Sequence, residues 1–198
     1  MERDKRAAVK GRHVLVFPLP AQGHINPMLQ FSERLAAKGI KVTLITTSSY
    51  LMAMQEEQAL PTSINLEPIF DGFREGERAA SVDDYLERFT ATAPGSLAEV
   101  IKKHSSTENP PICLIYGTLV PWALDVAQDS GIYNAATFSL NPVQLVLYIT
   151  MSFKGSYPGA YDLVFSRFSN IEKATWVLWN VFDDLEDEVG SLVIDRLN

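Results

Sequence analysis

One cysteine and three histidines are all that this 198-residue chain offers to soft-metal or thiol chemistry, and no apolar run is long enough to span a bilayer. A single thiol forms no intrachain disulfide. Cys113 lies within the apolar run Ile112-Cys113-Leu114-Ile115-Tyr116, so it reads as a small buried side chain in a reducing compartment. His13 opens a predicted strand, His24 follows one and His104 closes a helix, a placement without zinc-ligand spacing. Positive charge is also scarce. Seventeen Lys and Arg against 24 Asp and Glu leave a formal charge of -7, which argues against an electrostatic grip on nucleic acid or anionic membrane. Neither standard glycine-rich phosphate loop occurs. The charged start Met1-Glu2-Arg3-Asp4-Lys5-Arg6 lacks the apolar core of a signal peptide, so the expected location is the cytoplasm.

What is present is a hydrophobic content of 46% in a length suited to one ordinary domain. Strand and helix patterns alternate along it. Predicted strands cover His13–Phe17, Lys41–Thr47, Ile64–Ile69, Ile112–Tyr116, Tyr133–Phe138 and Trp176–Val181. Predicted helices cover the stretch from Met28 to Ala36, Ser48–Gln58, Ser81–His104 with a break near Pro94-Gly95, Trp122–Asp129, Val143–Phe153 and Tyr161–Phe168. This order predicts an α/β fold, a doubly wound parallel sheet of Rossmann type with ligands at the carboxyl edge of its strands. There is no internal repeat. The acidic run Asp183-Asp184-Leu185-Glu186-Asp187-Glu188 reads as a solvated helix start.

The most informative stretch follows the first strand: Pro18-Leu19-Pro20-Ala21-Gln22-Gly23-His24-Ile25-Asn26-Pro27. Pro18 and Pro20 end the strand, Gly23 permits close backbone approach, and Pro27 suits the first turn of a helix, which presents His24 on a loop. With Met28-Leu29-Gln30-Phe31 and the Lys38-Gly39-Ile40-Lys41-Val42-Thr43-Leu44-Ile45 segment, this spelling resembles the opening of the plant family-1 UDP-sugar-dependent glycosyltransferases, enzymes of GT-B fold. The likeness continues through Phe70-Asp71-Gly72-Phe73, Val120-Pro121-Trp122-Ala123-Leu124-Asp125, Phe168-Ser169-Asn170-Ile171-Glu172-Lys173-Ala174 and Trp176-Val177-Leu178-Trp179-Asn180-Val181-Phe182. It is nearest to the subgroup that glucosylates salicylate-like acids, auxins, glucosinolate precursors and steroids.

The resemblance implies that His24 is the general base toward an acceptor hydroxyl and that the parent donor is UDP-glucose. It covers only the acceptor-binding half, and the donor-domain signature of the family has no counterpart among these residues. The expected organisation is a disordered leader over 1–12 and a Rossmann-like acceptor-binding domain over 13–198, with no cofactor of its own. Gly117 departs from the family pattern, in which the fourth strand ends in an Asp that orients the catalytic imidazole. The segment near Phe153 is shorter than usual, and Ser139-Leu140-Asn141-Pro142 replaces the usual loop after strand five.

The candidate acceptor-binding residues are Gln22, Gly23, Phe70, Phe73, Thr118, Phe138 and Asn141, with Phe138 and Trp122 equally readable as plain core. The expected partners are a small, partly apolar metabolite and a separate donor-domain or homologous protein, with neither nucleic acid nor membrane among them. Three readings stay open: an acceptor half of a transferase, a non-catalytic metabolite binder or regulator, and a repurposed enzyme that uses His24 for isomerisation or cyclisation without a sugar.

Overall fold

The computed structural model describes residues 12–56, 60–74, 76–138 and 166–179. Strand β1 (His13–Phe17) is buried at every position, as its uninterrupted apolar spelling requires of a central strand covered on both faces. It is followed by α1 (Gln22–Ala37), β2 (Lys41–Thr47), α2 (Ser48–Glu56), β3 (Asn65–Ile69), α3 (Val82–Ser105), β4 (Pro111–Gly117), α4 (Trp122–Asp129), β5 (Tyr133–Phe138) and β6 (Trp176–Trp179). The six strands are all parallel, in the order β3-β2-β1-β4-β5-β6. β3 carries Pro68, whose missing N–H is tolerated at a sheet edge.

Alternation along β1 sends its side chains into two separate cores. Val14 and Val16 join Leu44, Ile115, Ala135 and the α1 residues Ile25 and Met28 on one face. Leu15 and Phe17 join Leu114, Tyr116 and Ala136 on the other, under Phe89, Ala93 and Leu97 of α3 and Leu124 of α4. Helices therefore cover both faces, and the doubly wound α/β architecture expected from the sequence is the one observed.

Two helix expectations are corrected. α3 runs unbroken through Pro94 and Gly95. The carbonyl freed by the missing Pro94 N–H belongs to Thr90, an exposed residue, while Phe89, Ala93, Leu97, Val100 and Ile101 hold both halves of the helix on the sheet. The helix after β1 starts at Gln22, so Pro27 is its sixth residue, not part of its first turn. The carbonyl that Pro27 leaves free is on exposed Gly23, and burial of Ile25, Met28 and Ser32 keeps the helix intact around it. The leader residues 1–11, the helices expected at Val143–Phe153 and over most of Tyr161–Phe168, and the acidic run from Asp183 lie outside the described residues.

Candidate functional site

The strand order reverses between β1 and β4, because α1 leaves β1 toward one face and α4 leaves β4 toward the other. In open parallel sheets this switch point opens a crevice at the carboxyl edge. The chain leaves β1 through buried Pro18 and Leu19, and a tight turn is closed by the Ala21 amide donating to the Leu19 carbonyl at 2.7 Å. Ala21 is extended and caps α1 with its backbone alone: its carbonyl accepts from the His24 and Ile25 amides at 2.8 and 3.0 Å. No side chain caps this helix start, and its first turn holds no acidic residue.

His24 accordingly sits in the first turn of α1 and not on a free loop, with its ring half-buried. Burial, and then the positive charge of Arg167, lower its pKa from 6.5 to about 4. At neutral pH the imidazole is uncharged and able to accept a proton, although the imidazolium formed would be poorly stabilised.

Arg167 is the residue that sequence reading missed. It is 3% exposed, its Nε has no hydrogen-bond partner, and its guanidinium lies 6.0 Å from the centroid of the Phe138 ring. Burial lowers its pKa to about 10. Among the described residues no carboxylate forms an ion pair with it. Nothing in the local spelling Ser166-Arg167-Phe168 separates a buried arginine from an ordinary surface one.

Gly117 ends β4 with space beside it. A Cβ there would stand 3.6 Å from the Leu19 amide nitrogen, 3.7 Å from Pro18 Cα and 3.8 Å from Met28 Sδ, all ordinary contact distances. A side chain at 117 would therefore point at the exit of β1 and at the face of α1 that carries Met28 and, one turn earlier, His24. Thr118 is buried, and its amide donates to the Thr137 carbonyl at 3.1 Å.

Gln22 and Gly23 are exposed on the first turn of α1, with open space where a Gly23 Cβ would stand. Phe138 is 1% exposed and stacks face to face on Trp179 at 3.9 Å, as a core side chain does. Asn141 lies outside the described residues.

Phe70 and Phe73 belong to a neighbouring cleft of about 700 Å³ at the exits of β2 and β3, lined also by Ser49, Met52, Asp71 and Tyr85. His24, Gly117 and Thr118 do not line it. Phe73 is held between two groups: Tyr85 stacks on it at 5.5 Å and the Arg88 guanidinium sits 3.9 Å from its centroid. Arg88 also donates to the Gly72 carbonyl at 2.6 Å and pairs with Glu77 at 2.7 Å. The predicted site residues thus fall into two groups, one at the switch point and one beside it. Among the described residues there is no metal-binding cluster of His, Cys, Asp and Glu, and no helix is long and apolar enough to cross a membrane.

Residues 12–62 match the family described as glycosyltransferase, N-terminal domain. Fold and sequence together define a Rossmann-like domain of the GT-B glycosyltransferase type. UDP-glycosyltransferase 74F2 of Arabidopsis thaliana is 36% identical over 205 residues, covering 89% of this chain and 45% of that protein. Mogroside I-E synthase of Siraitia grosvenorii is 33% identical over 208 residues, covering 89% and 46%. The crystal structure of Os79 from O. sativa in complex with UDP superposes with a TM-score of 0.77 at 26% identity, over 93% of this chain and 49% of that one. The chain is homologous to the N-terminal half of the plant UDP-glycosyltransferases, and it spans about half the length of the curated relatives it matches.

Proposed function

We propose that this chain binds a small, partly apolar metabolite as acceptor at the carboxyl edge of its sheet, with His24 as the base of a glucosyl transfer. The observation that carries this reading is the place of His24, which stands on the first turn of α1 at the topological switch point with its imidazole neutral at pH 7. Os79 is solved with UDP and, separately, with U2F and trichothecene, which supports a nucleotide-sugar donor and a small-molecule acceptor for this fold. UDP-glucose would be held by a donor half corresponding to the part of the relatives that this chain does not match, and a cytoplasmic location fits that pairing. In the transfer, the acceptor oxygen bonds to the anomeric carbon as the bond to UDP breaks, and the hydroxyl proton passes to His24.

Gly117 favours a second reading. Without a carboxylate at that position to stabilise an imidazolium, His24 suits a metabolite-binding protein, or an enzyme that moves a proton without a sugar. The two readings separate in one assay. The 198-residue chain is incubated with UDP-glucose and a phenolic acceptor, alone and with the donor half of a homologue added in trans. Transfer is expected only with the donor half present, and it is expected to disappear in His24→Ala. Multiple-turnover glucoside formation by the chain alone would overturn the division of labour, and transfer that survives His24→Ala would remove the base from its role.

A further inference from the structure

The cleft at the exits of β2 and β3 carries chemistry that a glucosyl transfer at His24 does not use. Its volume of about 700 Å³ is that of a small-molecule site, and Phe70 and Met52 are exposed on its wall. The loop that forms one side of it is held in place. The Phe70 amide donates to Ser96 Oγ at 3.0 Å, Arg88 donates to the Gly72 carbonyl, and Tyr85 and Arg88 fix the Phe73 ring. The cleft is therefore preformed.

Asp71 lines it and is only 7% exposed. One carboxylate oxygen accepts from the Phe73 amide at 3.2 Å, and among the described residues no basic side chain forms an ion pair with it. Taking a carboxylate out of water is costly unless a cation or several donors replace its hydration, and a single backbone hydrogen bond leaves much of that cost standing. The other charges on the lining do not remove it. Glu77 is already paired with Arg88 at 2.7 Å, Glu56 adds a further negative charge, and Arg74 is exposed and forms no ion pair among the described residues.

A neutral ligand would leave the buried carboxylate as it is, and an anion would meet two acidic side chains that nothing compensates. A cation answers Asp71 directly, and the Phe70 ring offers a surface for the apolar body that carries the charge. We propose that this cleft is a second binding site, separate from the switch point, for a small organic cation, its ammonium on the Asp71 carboxylate and its apolar body against Phe70 and Met52. Arylalkylamines are the class with that shape and charge. His24, Gly117 and Thr118 do not line the cleft, so the amine binds beside the acceptor site and not in it.

The test compares phenethylamine with 2-phenylethanol, which has nearly the same shape without the charge, and with phenylacetate, which reverses its sign. Each is titrated into the full chain at pH 7, and the amides of Phe73 and Gly23 are followed by NMR as reporters of the cleft and of the switch point. Phenethylamine is expected to shift Phe73, to leave Gly23 unmoved and to bind at least about tenfold more tightly than 2-phenylethanol, the size of one hydrogen-bonded charge pair. Asp71→Asn keeps the shape and an acceptor for the Phe73 amide, so it should abolish that preference. Phe70→Ala, at an exposed side chain, should weaken amine and alcohol alike.

The wild-type comparison stands even if the variants fold poorly. Equal binding of amine and alcohol would overturn the role of the carboxylate, and tighter binding of phenylacetate would overturn the sign of the ligand. A shift at Gly23 without one at Phe73 would place the amine at the switch point and remove the second site. No shift at Phe73 with millimolar phenethylamine would remove it as well, and the reading of His24 would be untouched.

Discussion

Gly117 on β4 pairs in register with Thr137 on β5, and the Thr137 hydroxyl is buried with no hydrogen-bond partner. Paired residues of neighbouring parallel strands present their side chains to the same face, so the unused hydroxyl borders the space that the glycine leaves open. Gly117→Asp is therefore expected to fold, since its Cβ meets only ordinary contacts, and to find a donor in Thr137 Oγ1. A carboxylate there favours the charged imidazole, so the His24 pKa should rise from about 4. NMR titration of the ring reads this directly. An unchanged His24 pKa would mean that position 117 does not communicate with the imidazole.

Acid should weaken the fold before the carboxylates titrate. His13 and His24 both have folded pKa values near 4 against 6.5 when unperturbed, chiefly through burial. Between those values the unfolded chain binds the protons and the folded chain does not, so stability falls as pH falls. The slope is at most about 1.4 kcal/mol per pH unit for each imidazole. Urea midpoints at pH 7 and pH 5 check this. Equal midpoints would contradict the neutral, buried state of both rings.

Neutral His13 is satisfied as it stands. Its Nδ1–H donates to the Asn109 carbonyl at 3.1 Å, and Nε2 accepts from the Thr43 hydroxyl at 2.8 Å. His13→Ala removes both partners' bonds and opens a cavity at the start of β1. A loss of about 2–4 kcal/mol is expected in chemical denaturation. A loss below about 1 kcal/mol would show that water takes over both bonds.

Arg88 ties the loop after β3 to α3 through the Gly72 carbonyl, Glu77 and the face of Phe73. Arg88→Ala should cost about 1–2 kcal/mol and speed amide exchange over residues 72–74, 76 and 77, since three modest contacts are lost at a half-exposed site. Unaltered exchange there would show that the loop is held by its other contacts.

Gly72 has φ +92, and a Cβ would stand 3.1 Å from Arg88 Cβ, the Arg88 carbonyl oxygen and Thr92 Oγ1. Backbone strain and crowding act together here. Gly72→Ala is expected to cost about 1–3 kcal/mol. Gly23→Ala, in open helical surroundings, should be neutral or slightly stabilising in the same denaturation series.

The sequence by itself determined the class of fold and the end of the sheet that matters. Continuous apolar runs in β1 and β4, β-branched spelling in β2 and helical spacing between them leave a doubly wound sheet as the arrangement that buries every face. The spelling around His24 fixed the family, and Gly117 stood out because a glycine cannot do a carboxylate's work. Local pattern failed where long-range packing outweighed it: Pro27 and Pro94 were absorbed into helices whose apolar faces were already anchored. Only the tertiary structure decided that Phe138 belongs to the core, that Phe70 and Phe73 line a different cleft from His24, and that a half-buried imidazole shares its surroundings with Arg167. Those are facts of distance between segments that are not neighbours in the chain, and burial and electrostatics depend on what surrounds a group in space, which no local spacing encodes.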